Sequence, residues 1–97
     1  MIRNVVLGRV RDDLDDAGRQ ALDEGLAGIG GLVLPGLIAT RLGYDLALRE
    51  GGWSFAITND WADAEAYRAY DADAEHNRYR AAVVAACEQV ARVQFEI

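Results

Sequence analysis

The chain has 97 residues and a mass of 10.6 kDa, enough for one domain that buries roughly 65% of its unfolded surface and too little for a separate cofactor-binding domain. Hydrophobic residues make up 52% and charged residues 27%. This is a globular composition rather than a disordered one, and no 18-residue apolar run is present to span a bilayer. Ten arginines, no lysine and 16 acids give a net charge of −6; the arginines are scattered from Arg3 to Arg92, which argues against nucleic-acid binding, because a phosphate backbone demands a basic stripe.

Residues 2–10 read as a strand, with only Gly8 interrupting the β-formers Val5, Val6, Leu7 and Val10. The run turns polar by Arg9, without the apolar region and cleavage site of a signal peptide, and a single cysteine, Cys87, fits a reducing compartment. Both point to a cytoplasmic protein. Asp12 and Asp13 stand where a helix wants its N-cap. Leu14, Ala17, Ala21, Leu22, Leu26 and Ile29 then form the stripe of an amphipathic helix that Gly30-Gly31 should end.

Pro35-Gly36 makes a turn into a second strand from Leu37 to about Leu42. Gly43 and Glu50-Gly51-Gly52 punctuate a connection to a third strand at Trp53–Asn59. Asp63 is placed to cap a helix carrying Ala64, Ala66, Tyr67 and Tyr70, and the acidic stretch 71–75 breaks it. Helical character resumes from His76 to Gln89, which puts Cys87 in mid-helix as an inert packing residue. From Val90 to Ile97 apolar and polar residues alternate, Ala91, Val93, Phe95 and Ile97 against Arg92, Gln94 and Glu96, as in a fourth strand.

The order βαββαβ, with its second helix in two pieces, is that of an α+β ferredoxin-like plait. That is a four-stranded antiparallel sheet with helices on one face, here a single domain over residues 1–97. Val5 and Leu7 lie on one parity of the first strand and Val6 and Val10 on the other, so the uncovered sheet face is apolar too. Such a face marks an interface, and a homodimer packed sheet on sheet covers it with closed two-fold symmetry. Trp53 and Trp61 are expected to be packing residues and dimer anchors.

Together these segments resemble the stress-responsive dimeric α/β-barrel (Dabb) family. The resemblance is carried by Ile2-Arg3-Asn4-Val5-Val6-Leu7, Pro35-Gly36, Gly43-Tyr44-Asp45, Gly51-Gly52-Trp53, Ala66-Tyr67, His76 and the closing Arg92–Ile97. It implies a homodimeric barrel with helices outside and no single activity, since similar proteins include stress-induced structural proteins and a plant cyclase that folds a linear polyketide by aldol condensation. Through the cyclase-like members it implies His76 as a general base and Tyr67 as the phenol that polarises a carbonyl. Gln94 stands where those members have the aspartate that orients the histidine, Asn4 where they have a first-strand histidine, and Leu26 where they have a pocket-lining tyrosine. Tyr70, one turn beyond Tyr67, is a further ligand-contact candidate. The family's Tyr-x-x-His-Pro-x-His run is here the longer, proline-free segment Tyr67–His76.

An unperturbed imidazole titrates near pH 6.5, which suits the one histidine to general-base work. Neither a metal nor a cofactor is expected. One His and one Cys cannot supply a zinc site, Asp12, Asp13, Asp15 and Asp16 lack the glycine and closing glutamate of a calcium loop, and Gly28-Ile29-Gly30-Gly31 lacks the context of a dinucleotide fingerprint. The expected function is binding of a small carbonyl-rich or phenolic molecule between sheet and helices, with cofactor-free acid/base chemistry of a cyclase or isomerase kind. Such a site needs an apolar cavity of about 300 Å³ or more, and Gly8 is expected to enlarge it. The alternative is a non-catalytic, stress-related structural homo-oligomer in which the same residues only pack.

Overall fold

A computed structural model describes residues 1–97. Seven elements follow one another: β1 (Ile2–Val10), α1 (Asp16–Gly31), β2 (Leu37–Tyr44), β3 (Phe55–Trp61), α2 (Ala64–Ala72), α3 (Ala74–Ala85) and β4 (Cys87–Glu96). All strand pairs are antiparallel, in the order β2-β3-β1-β4, the α+β ferredoxin-like plait that the element order implies. The molecule measures 37 × 29 × 18 Å, and its short dimension is that of one helix layer on one sheet layer. No helix is long and apolar enough to cross a membrane.

Strand alternation decides which residues meet the helices. Phe55, Ile57, Asn59 and Trp61 on β3 and Asn4 and Gly8 on β1 are buried beneath them. The main core joins Leu22, Leu26 and Ile29 of α1 and Val83 of α3 to Phe55 and Ile57. A second cluster holds Leu32, Trp61 and Tyr70. Trp61 is 1% exposed, so it is a core residue and not a dimer anchor. Gly8 does not open a cavity either: a Cβ there would lie 2.1 Å from Phe55 Cζ, because the phenyl ring already fills that space.

Caps refine the boundaries. The first helix is capped by Asp15, whose side chain accepts from Gly18 N at 2.8 Å, while Asp13 is held by Arg11. Asp63 caps α2 through Ala66 N at 2.8 Å. Asp73 serves two helices: its N–H donates to Tyr70 O at 3.1 Å to close α2, and its carboxylate accepts from His76 N at 2.9 Å to open α3. The long β1 offers partners as far as Val10, which pairs with Cys87 past a bulge. β4 therefore starts three residues before the expected Val90, and Cys87 opens a strand instead of lying within a helix.

Candidate functional site

His76 gains its position from the break between α2 and α3. With φ −65° and ψ 130°, Asp73 is extended, and the turn it makes brings the first turn of α3 back against the end of α2. His76 Nδ1 lies 2.8 Å from Tyr70 O. A carbonyl only accepts, so Nδ1 carries the hydrogen and Nε2 carries a lone pair. No protein group bonds Nε2, and no buried side-chain nitrogen or oxygen in the chain lacks a partner; Nε2 therefore meets accessible space. The ring stacks on Tyr70 with centroids 3.8 Å apart and planes at 19°. Burial holds the imidazole pKa below its ordinary value, the bond to Tyr70 O opposes this, and the Arg80 charge adds to the lowering. The ring is neutral at pH 7.

The sheet floor beneath it is a row of amides. Asn4 on β1 stands opposite Asn59 on β3 and Gln94 on β4. Asn4 Nδ2 donates to Asn59 Oδ1 at 3.0 Å, and Trp61 Nε1 donates to the same oxygen at 2.8 Å. Asn59 Nδ2 donates to the Tyr70 hydroxyl at 3.2 Å, and Gln94 Nε2 to Asn4 Oδ1 at 2.9 Å. Four hydrogens stay uncommitted, the second on each amide nitrogen of Asn4, Asn59 and Gln94 and that of the Tyr70 hydroxyl; of these groups, Asn4 and Tyr70 line the cavity beside His76. Burial raises the pKa of both Tyr67 and Tyr70, so both are protonated donors at neutral pH.

These groups share one cavity, of about 40 Å³, lined among others by Asn4, Val6, Tyr67, Tyr70, His76, Arg80, Val84 and Arg92. A water needs roughly 10–15 Å³ of such space, so the cavity holds a few waters or one end of a larger molecule and falls well short of the expected 300 Å³. Asn4, Tyr67, Tyr70 and His76 do converge. Leu26 does not join them: it is 3% exposed inside the main core, because its turn of α1 faces Phe55 and Ile57. Gln94 does not orient His76, since its register opposite Asn4 ties it to that amide; the Tyr70 carbonyl orients the histidine instead.

Three residues that the sequence reading passed over belong to this site. Asn59 shares the parity of Phe55, Ile57 and Trp61, the same signal of a polar residue on a buried face that singles out Asn4. Arg80 lies one helical turn beyond His76, and its guanidinium is engaged by Asp71 at 2.6 Å and by Asn77. Arg92 shares the parity of Gln94 on β4 and makes no hydrogen bond or ion pair. No group of three or more His, Cys, Asp or Glu side chains is gathered to hold a metal, and burial raises the Cys87 thiol pKa, which keeps it protonated and unreactive.

No protein-family model and no curated protein matches the chain. Solved structures match it along nearly its whole length. A dimeric ferredoxin-like protein of unknown function from Thermobifida fusca YX has a TM-score of 0.86 at 25% identity, covering 99% of this chain and 90% of that one. A second dimeric ferredoxin-like protein of unknown function, from Jannaschia sp. CCS1, has a TM-score of 0.84 at 21% identity, covering 99% and 98%. A hydroxynitrile lyase from Passiflora edulis has a TM-score of 0.78 at 15% identity, covering 99% and 92%. The chain thus has the ferredoxin-like fold of the two dimeric proteins, a fold that the hydroxynitrile lyase resembles as well.

Proposed function

We propose that this is a cytoplasmic, Dabb-like homodimer that binds a small carbonyl compound in the His76 cavity and moves a proton on it without a cofactor. The observation that carries the reading is His76 itself: a buried, neutral imidazole with Nδ1 fixed by Tyr70 O and a free Nε2 lone pair at the cavity wall. In the proposed step, Nε2 takes a proton from the carbon next to the carbonyl. The C–H bond breaks, the N–H bond forms, and the electron pair moves to the carbonyl oxygen, where the Tyr70 or Tyr67 hydroxyl and the spare Asn4 N–H donate to it. Return of the proton to another carbon isomerises the compound. Attack of the enolate on a second carbonyl closes a ring.

The dimer is proposed from the open face of the sheet. Val93 and Phe95 are 54% and 45% exposed there, beside Val5, Leu7 and Ala91. The total accessible surface, 6143 Å², exceeds the roughly 5,500 Å² that scaling gives for a compact chain of this mass. The dimeric proteins of like fold support a second copy as the cover.

One observation favours a structural role instead: the cavity of about 40 Å³ is small for a substrate site. The two readings separate in heavy water, where hydrogen exchange next to the carbonyl of simple ketones and keto acids reports proton abstraction. Catalysis above the buffer rate that falls at least tenfold in His76→Gln supports the enzyme. An exchange rate equal to buffer for every compound leaves a stress-related structural homo-oligomer.

A further inference from the structure

We propose that Arg92 makes the site selective for a small β-keto carboxylate, its guanidinium holding the carboxylate at the cavity mouth while the ketone end enters toward His76; this rests on the reading of His76 as a base. Three observations meet here. The first is that Arg92 lines the cavity without a protein partner, whereas the other cation there, Arg80, is bound by Asp71. A nearby carboxylate, Asp73, is likewise engaged, as the cap of α3. An arginine left unmatched at the wall of a protein with net charge −6 is a receptor for an anion, and a guanidinium presents the two-pronged donor pair that a carboxylate accepts.

The second observation is size. About 40 Å³ admits only the ketone end of such a molecule, so any anionic end stays outside at the mouth, where Arg92 is exposed. The third is chemical order along that path. The most buried part of the lining holds neutral donors, the Tyr70 hydroxyl and the Asn4 amide, which suit a carbonyl oxygen. The outer wall holds a charge. A β-keto carboxylate presents ketone, acidic carbon and carboxylate in that sequence, with the acidic carbon between the two groups the site would hold.

The test uses the ring proton signals of the one histidine as the reporter, with two probes of equal heavy-atom count, acetoacetate and the neutral pentane-2,4-dione. A two-pronged guanidinium–carboxylate pair is charge-assisted but here exposed, so acetoacetate should shift the His76 signals with a Kd about fivefold below that of pentane-2,4-dione. Arg92→Gln should remove that preference, and Arg92→Lys should keep part of it. Because Arg92 is exposed, both variants should fold, which an unchanged urea midpoint checks. Equal affinities in the wild type, or a preference that survives Arg92→Gln, overturns the role of Arg92 while leaving His76 at a ligand site. If neither probe shifts the His76 signals, the ligand-site reading and the inference fall together.

Discussion

Asn59 binds the site to the core. Its oxygen accepts from Asn4 and Trp61, and its nitrogen donates to the hydroxyl of Tyr70, whose ring stacks on His76. Asn4 and Tyr70 reach the cavity and can turn to water when Asn59 is lost; Trp61, at 1% exposure, cannot. Asn59→Leu should therefore destabilise the protein by about 2–3 kcal/mol, the cost of stranding a buried donor with some repacking, measured by urea unfolding. His76 adds a pH dependence of known sign. Its folded pKa is lowered by burial, so its contribution to stability is complete above the unfolded value near 6.5 and is lost as pH falls through the folded value. Urea midpoints measured downward from pH 7 should drop more steeply in the wild type than in His76→Gln.

At the scale of elements, a cap and a close contact carry the argument. Asp63 and Asp73 make N-cap bonds of similar length, 2.8 and 2.9 Å, so replacing either by alanine should cost about 1 kcal/mol. Only Asp73→Ala should also move the His76 signals, because Asp73 alone sets the turn that delivers the histidine. Gly8→Ala should cost about 1–3 kcal/mol by overpacking against Phe55, with the urea midpoint as its measure. The sequence made the strands legible because Val5-Val6-Leu7 and the alternation through Phe95 carry their parity openly, and that parity also marks Asn4 as buried. It could not show which acid of the Asp12–Asp16 cluster caps α1, since four aspartates offer the same chemistry. Nor could it show that the Phe55 ring lies across Gly8, or that a backbone carbonyl, which has no signature in any sequence, does the orienting expected of Gln94.

At the scale of the whole molecule, one helix layer on one sheet leaves the face bearing Leu7, Val93 and Phe95 uncovered. Sedimentation equilibrium should give twice the chain mass, and Val93→Glu, which places charges against each other across a two-fold axis, should return the single chain mass with its helical signal intact. A wild-type monomer at micromolar concentration would contradict the dimer. The net charge of −6 makes the molecule as a whole repel other anions.

The most direct test of the account is a nitrogen-15 spectrum of the one imidazole across pH. The ring should be neutral near pH 7 with the hydrogen on Nδ1, its pKa below the ordinary 6.5, and its Nε2 signal should respond to acetoacetate. A ring with its hydrogen on Nε2, or one titrating at 6.5 or above, would contradict it: the lone pair would then point at the Tyr70 carbonyl or the imidazole would stand in solvent, and in neither case could His76 take a proton from a molecule in the cavity.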